Sequence, residues 1–162
     1  MSISRSAVLI VEDDEPKLRA ITDFLRQEFL AVDIAEARSL SSAISLLSLR
    51  RFTAAIVDMS LPTYEVARDR AGGGQPQGFG GEDVLRFIEA EQPTCRSIVL
   101  TQYEEFTDKE GQKLSLSDVR RQLSDSVSPP ILGVVYYSGP SGEWRKTVRE
   151  LLVADLAGVS HG

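Results

Sequence analysis

The chain has 162 residues, of which 42% are hydrophobic and 26% are charged, and its formal net charge is −6. These values are typical of a single soluble globular domain with a sizeable core, and the acidic balance argues against direct binding to a nucleic-acid backbone. The one cysteine, Cys95, cannot form an internal disulfide and fits a reducing cytoplasm. His161, near the end of the sequence, is the only histidine, which argues against His-based metal sites and histidine catalysis within the chain. No apolar run is long enough for a membrane span or a signal-peptide core.

The first half of the chain alternates buried-strand runs with amphipathic helices. Residues 7–11 predict a strand, and Asp14 behind it predicts the N-cap of a helix. The inward stripe of this helix is Leu18, Ile21, Leu25 and Phe29, with Lys17, Arg19, Arg26 and Glu28 placed mostly on its other faces. Residues 31–34 predict a second strand, 40–47 a second helical stripe and 53–57 a third strand. This β-α-β-α-β order predicts a parallel, doubly wound sheet.

The second half begins with a break in the pattern. Residues 63–81 are rich in glycine and predict a loop insertion beside the third strand. The elements expected after it are a helix over 82–91, a strand over 97–101, a short helix over 115–126, a strand over 131–137 and a last helix, capped by Ser141, with Trp144 in the core. The sequence therefore predicts one domain over 1–157, with an insertion at 63–81, an extended segment at 102–130 and a frayed tail at 158–162.

Polar side chains stand at the ends of three predicted strands. Glu12 and Asp13 follow the first strand, Asp58 follows the third, and Thr101 ends the fourth. Because the carboxyl ends of parallel strands meet at one edge of the sheet, we expect the carboxylates to converge. Carboxylates so close together repel each other unless a cation lies among them, and their oxygens suit Mg²⁺. Asp58 could then act as a nucleophile toward phosphorus, with the Thr101 hydroxyl donating to a phosphoryl oxygen.

Each of these residues also has a plain structural interpretation. Asp58 could cap a turn before Pro62. Glu12 and Asp13 could form the solvated start of a helix. Thr101 is a common strand residue, so that on its own it is better explained by structure than by function.

Taken together, the motifs resemble the receiver domain of two-component response regulators. They are Val8-Leu-Ile-Val-Glu-Asp-Asp14, Ile56-Val-Asp-Met-Ser-Leu-Pro62 and Ile98-Val-Leu-Thr101, in order along nearly the whole chain. The resemblance implies a flavodoxin-like α/β fold: a single doubly wound sheet of five parallel strands, order 2-1-3-4-5, with helices on both faces. It also implies that Asp58 accepts a phosphoryl group from a histidine kinase or a phosphotransfer protein.

The resemblance implies roles for further residues of the site. The Mg²⁺ ligands that it implies are Glu12, Asp13, Asp58 and the backbone carbonyl of Ser60. Thr101 would contact the phosphoryl group and act as a switch residue together with Tyr136. Tyr137 fits the aromatic switch role as well, and both tyrosines also fit half-buried strand positions.

The chain departs from the family at the end of the fifth strand. The family has a lysine there that pairs with the phosphoryl group, and Gly139 occupies that position here. No lysine lies between Lys113 and Lys146, so a shift of the alignment does not supply one. We expect the absence of this lysine to weaken or abolish the conformational switch that phosphorylation triggers in the family. The segments 63–81 and 102–130 are also longer than in the family, and the second covers the face that usually signals output.

The leading hypothesis is a stand-alone, non-enzymatic receiver that is phosphorylated on Asp58 and contacts an unknown output protein in the cytoplasm, or a receiver cut from a longer chain. The alternative is a degenerate receiver that binds a partner without using phosphate, and the missing lysine favours it. A metal-dependent phosphatase or hydrolase is disfavoured because no further acid or base motif is present. We expect no contact with nucleic acid or a membrane, and homodimer formation stays open.

Overall fold

A computed structural model of the chain describes residues 5–61, 80–107, 110–126 and 131–156. Three features of the sequence prediction lie outside these residues. They are Pro62, nearly all of the glycine-rich insertion and the tail at 158–162.

Seven strands and five helices make up the described part of the chain. The strands are β1 (Ser6–Val11), β2 (Val32–Ala37), β3 (Ala54–Val57), β4 (Arg96–Thr101), β5 (Glu105–Thr107), β6 (Lys113–Ser115) and β7 (Gly133–Tyr136). The helices are α1 (Glu15–Glu28), α2 (Leu40–Leu49), α3 (Gly80–Glu91), α4 (Leu116–Ser126) and α5 (Trp144–Leu156). Every strand and helix expected from the sequence is present, with ends displaced by up to a few residues.

Five strands form one parallel sheet in the order β2-β1-β3-β4-β7. This order confirms the predicted doubly wound, flavodoxin-like topology, with β7 as the fifth strand of the sheet. In the register of the sheet, Val57 lies beside Val11 of β1 and Val99 of β4. The residues that follow β1 and β3 therefore emerge next to each other at the carboxyl edge, near the end of β4.

The helices cover both faces of the sheet because alternate strand residues point to opposite sides. In β1, Leu9 and Val11 pack on one side with residues from α2, α3 and α4, whereas Val8 and Ile10 pack on the other side with residues from α1 and α5. All four side chains are fully buried. The core position predicted for Trp144 is confirmed, since only 1% of it is exposed. No helix in the described ranges has the length and apolar character that a membrane span requires.

A small hairpin, β5-β6, was not predicted. It is antiparallel and lies inside the extended segment, with Phe106 opposite Leu114. Both side chains are buried and join the core on the α2/α3/α4 side. The hairpin packs part of the 102–130 segment, for which the sequence analysis predicted no strand, onto the domain.

The turn between β7 and α5 also differs from the prediction. The helix begins at Trp144, so Ser141 lies before the position of an N-cap. The first residue of the helix stabilises the turn instead, because the Trp144 indole Nε1 donates a hydrogen bond to the carbonyl oxygen of Gly139 at 2.6 Å. Gly139 has a φ of +126°, a backbone conformation that residues with a side chain rarely adopt. This backbone favours glycine where the resemblance called for lysine.

Candidate functional site

The site is built where β1, β3 and β4 end. The Glu12 amide donates to the Ala37 carbonyl at 2.9 Å, and the Asp58 amide donates to the Val11 carbonyl at 3.0 Å. Each acidic residue therefore continues the hydrogen-bonded sheet by one step. The sheet itself fixes where these carboxylates start.

The three predicted carboxylates converge. One oxygen each of Glu12, Asp13 and Asp58 lies within 4.8 Å of the other two. Glu12 is 2% exposed and Asp58 is 3% exposed, whereas Asp13 is more open to solvent. The expectation that these strand ends meet at one edge is therefore met by the geometry.

Lys17 closes the inner side of this cluster. It lies in the first turn of α1, and only 1% of it is exposed. Its Nζ lies 2.6 Å from Glu12 Oε1 and 3.5 Å from Asp58 Oδ1, and it donates to the carbonyl oxygen of Leu100 at 2.7 Å. Placing Lys17 away from the inward stripe of α1 was wrong. The ammonium is buried because it has carboxylate and carbonyl partners there.

The loop between β1 and α1 is fixed by its own acidic side chains. Glu12 Oε2 accepts from the Asp14 amide at 3.1 Å, and Asp14 Oδ2 accepts from the Lys17 amide at 3.1 Å. The second contact confirms Asp14 as the N-cap of α1. These bonds hold Glu12 and the first turn of α1 in one arrangement.

Electrostatics at the site favour an added cation. The pKa of the Glu12 carboxyl is raised to about 8, mainly because burial penalises its charged form and also because the Asp58 carboxylate is close, while Lys17 acts in the opposite direction. Apart from the ion pairs with Lys17, Glu12 Oε1 and Asp58 Oδ1 are buried and accept no well-formed hydrogen bond from a described residue. Positive charge beside these oxygens would favour ionised Glu12.

The residues present fit Mg²⁺. Three carboxylates supply hard oxygen ligands within a small volume, and Asp13 on the open side leaves room for water, which Mg²⁺ retains when it binds proteins. Two of the oxygens, Glu12 Oε1 and Asp58 Oδ1, are buried with the Lys17 ammonium as their partner among the described residues. Glu12, Asp13 and Asp58 are therefore candidate ligands for this ion.

The loop after Asp58 is pressed against the start of α3. The Ser60 hydroxyl donates to Asp58 Oδ2 at 2.9 Å, and the Gly81 amide donates to the Met59 carbonyl at 3.0 Å. A Cβ added at Gly81 would lie 2.3 Å from the Asp58 carbonyl oxygen, so this close approach needs glycine. The hydroxyl contact of Ser60 was not predicted, and its carbonyl stays a predicted metal ligand.

The structure places Thr101 and the two tyrosines in different environments. Thr101 is fully buried, and its Oγ1 accepts from the Tyr103 amide at 3.2 Å. Tyr136 pairs with Thr101 across the sheet but is 39% exposed. Tyr137 is buried, and its ring centroid lies 5.6 Å from Lys17 Nζ. The sheet thus places Tyr136 beside Thr101, whereas Tyr137 is the tyrosine whose ring faces the Lys17 ammonium.

Sequence reasoning missed Lys17, although a signal for it was present. Lys17 precedes Ile21 by four residues and Phe24 by seven, and both are buried. This spacing places Lys17 on the inward face of α1. A lysine in an apolar stripe, one turn after an acidic strand end, indicates a buried ion pair.

Comparisons with known proteins give two sequence relatives of low identity. No family model matches the chain. The Detocs response regulatory protein DtcB of Enterobacter cloacae (strain JD6301) is 25% identical over 139 residues, which are 85% of this chain and 92% of that protein. An uncharacterised protein, y4jR, of Sinorhizobium fredii is 21% identical over 141 residues, which are 87% of this chain and 93% of that protein.

Solved structures give the fold. The signal receiver domain of an HD domain-containing protein from Pseudomonas fluorescens Pf-5 matches with a TM-score of 0.65 and 18% identity, covering 98% of this chain and 100% of that one. The response regulator TrrA of Thermotoga maritima, in complex with Mg²⁺ and beryllium fluoride, matches with a TM-score of 0.56 and 21% identity, covering 91% and 99%. The chain therefore has the fold of a CheY-like response regulator receiver domain, with the acidic cluster at the carboxyl edge of its sheet.

Proposed function

We propose that this chain is a receiver that accepts a phosphoryl group on Asp58 from a histidine kinase or phosphotransfer protein. The observation that carries the proposal is the position of Asp58. Its carboxyl lies at the end of the central strand, within 4.8 Å of two further carboxylates and beside a buried ammonium. Such a cluster of charge suits a transferring phosphoryl group, which needs positioning and charge stabilisation.

The transfer step uses few groups of the chain. A carboxylate oxygen of Asp58 attacks phosphorus of the phosphohistidine, a P–O bond forms, the P–N bond breaks, and the leaving imidazole nitrogen takes up a proton from solvent. The Ser60 hydroxyl orients the Asp58 carboxylate through its 2.9 Å bond to Oδ2. Thr101, on the neighbouring strand end, is the candidate hydroxyl donor to a phosphoryl oxygen.

Mg²⁺ is the cofactor that this proposal requires. The residues that would hold it are Glu12, Asp13 and Asp58 and the carbonyl of Ser60. When bound, it neutralises negative charge on the oxygens of the transferring group. Asp58 would serve both as ligand and as nucleophile.

Signalling would follow from contact with another protein, in the cytoplasm, and no chemistry on an external substrate is part of the proposal. DtcB is named a response regulatory protein, and several structural neighbours are response regulators, some of them solved on DNA. The net charge of −6 disfavours a direct nucleic-acid contact for this chain.

One observation favours a second function, that of a degenerate receiver acting without phosphate. Asp58 is 3% exposed and already has a cationic partner in Lys17. A carboxylate buried in an ion pair is a poorer nucleophile than an open one, because attack requires it to leave that pair. In this case the cluster would stabilise the fold and the domain would bind its partner constitutively.

One experiment separates the two functions. The protein is incubated with acetyl phosphate and Mg²⁺, and its intact mass is measured. We expect the mass of one added phosphoryl group on the wild type and none on Asp58→Asn. An unmodified wild type under conditions that phosphorylate a known receiver would instead support the degenerate domain.

A further inference from the structure

Lys17 is placed to act on whatever binds at Asp58. Its side chain runs from the first turn of α1 to the carboxyl edge, where Nζ reaches Glu12 after β1, Asp58 after β3 and the Leu100 carbonyl on β4. One ammonium thereby spans three adjacent strand ends. Among the lysines that the structure describes, Lys17 alone forms an ion pair with Glu12 or Asp58.

The partners of Lys17 account for its charge. An ammonium has three hydrogens and no acceptor, and here two carboxylates and one carbonyl surround it. The contacts are unequal, since Nζ is 2.6 Å from Glu12 and 2.7 Å from the Leu100 oxygen but 3.5 Å from Asp58. The contact on the Asp58 side is the loose one and has room to tighten.

We propose that Lys17 is the residue that binds the phosphoryl group on Asp58, a contact for which the end of β7 offers no lysine. This inference rests on the proposed function and deepens it. A phosphoryl group on Asp58 brings negatively charged oxygens next to Oδ1, which already faces Nζ. Charge-assisted hydrogen bonds from the ammonium to those oxygens would replace the loose contact.

The same contact couples the site to β4. If Nζ turns toward a phosphoryl group, the bond to the Leu100 carbonyl weakens. That carbonyl belongs to the same peptide group as the amide of Thr101, so the Thr101 amide reports on it directly. Lys17 therefore links occupancy of Asp58 to the end of the strand that carries the proposed switch residue.

A purely structural role for Lys17 predicts a different behaviour. In that role, the Lys17 ammonium would only neutralise the charge of the acidic cluster and would compete with Mg²⁺ for the carboxylates. Its removal would then tighten Mg²⁺ binding and, with it, the binding of any Mg²⁺-dependent phosphoryl analogue. The proposal instead predicts that removal of Lys17 tightens the binding of Mg²⁺ but weakens the binding of the phosphoryl analogue. Measuring both affinities therefore distinguishes a phosphoryl-binding lysine from a purely structural one.

The test compares Lys17→Met with the wild type and with Lys146→Met, an exposed lysine of α5 that controls for net charge. Binding of Mg²⁺, and of beryllofluoride at saturating Mg²⁺, is measured by calorimetry. For Lys17→Met we expect a lower Kd for Mg²⁺ but beryllofluoride binding weakened roughly ten- to hundredfold, the effect of losing one charge-assisted hydrogen bond. Lys146→Met should match the wild type.

Nuclear magnetic resonance supplies the second readout. Beryllofluoride should shift the Thr101 amide in the wild type and shift it less in Lys17→Met. Beryllofluoride binding to Lys17→Met that equals or exceeds wild-type binding at saturating Mg²⁺ overturns the role of Lys17 while leaving phosphorylation of Asp58 intact. A wild type that binds no beryllofluoride and accepts no phosphoryl group overturns both proposals.

Removal of one partner from a buried ion pair can prevent folding. If Lys17→Met is unfolded by circular dichroism, the comparison is made between Glu12→Gln and Glu12→Gln/Lys17→Met, in which the buried charge is reduced together with its partner. The same weakening of beryllofluoride binding is expected within this pair. Equal affinities there overturn the proposal.

Discussion

Buried ionisable groups in this protein differ in whether they have partners. Lys17 and Glu12 pair with each other at 2.6 Å. Cys95 is 3% exposed, and burial raises the pKa of its thiol to about 12. A group without an opposite charge beside it stays neutral, which explains why Cys95 behaves as a core residue although it is potentially reactive.

The state of Cys95 can be tested with a thiol reagent. Because the thiolate is the reactive form and a pKa of about 12 leaves very little of it at pH 8, we expect negligible labelling of the native protein at pH 8 by a disulfide-exchange reagent. Full labelling is expected in denaturant, which serves as the control. Rapid labelling of the folded protein would show that this part of the core opens or that the thiol is exposed.

At the scale of elements, the Gln92 side chain links the end of α3 to the end of α2 through hydrogen bonds. It follows α3 and is 4% exposed. Its Oε1 accepts from the Phe52 amide at 2.9 Å, and its Nε2 donates to the carbonyls of Leu47 and Arg50 at 2.8 and 2.7 Å. The side chain thereby satisfies the backbone around the end of α2 and the approach to β3, which carries Asp58.

Gln92→Ala should therefore be destabilising. The change removes three hydrogen bonds and leaves buried backbone groups without partners, so we expect a loss of about 2–4 kcal/mol in the free energy of unfolding. Urea unfolding followed by Trp144 fluorescence measures it. Gln122→Ala, at an exposed position of α4, should change stability by less than about 0.5 kcal/mol. Equal stability of the two variants would contradict the bracing role of Gln92.

The larger elements could be predicted from the sequence because their signals are local. The strands β1 and β3 contain unbroken apolar runs, and the apolar stripe of α1 is long enough to show its helical period. The β5-β6 hairpin could not be predicted, because the sequence of each strand contains a single large apolar residue, Phe106 or Leu114. Strands of three residues show no alternation that could be distinguished from a loop.

The candidate site was predicted in part for the same reason. Glu12 and Asp58 follow apolar runs directly, so the sheet order alone brings them together. The contact of Lys17 with Leu100 joins residues 83 apart in sequence, and a pattern along one helix indicates only that Lys17 points inward. Which strand ends the ammonium reaches depends on how α1 packs across the sheet.

At the scale of the whole molecule, the acidic cluster should link stability to Mg²⁺. A ligand that binds only the folded protein stabilises it, by about 1.4 kcal/mol at ten times its Kd, which corresponds to roughly 3–6 °C in Tm for a chain of this length. We expect Mg²⁺ to raise Tm by this order in a thermal scan, against a control with monovalent salt of equal ionic strength.

Substitution locates that effect. Asp13→Asn should remove most of the Mg²⁺ response, because Asp13 is one of three clustered carboxylates. Asp125→Asn, at an exposed position in the last turn of α4, should keep it. A response that is unchanged in Asp13→Asn would show that the binding site is elsewhere or absent.

The central claim, that Asp58 is the phosphoacceptor, is tested most directly by locating the modification. An acyl phosphate is reduced by borohydride, which converts the phosphorylated aspartate to homoserine. After incubation with acetyl phosphate and Mg²⁺ and reduction, peptide mass spectrometry should find homoserine at position 58 only, and none without the phosphodonor. Homoserine at Asp13, or at no position in a protein whose fold is intact, would contradict the account.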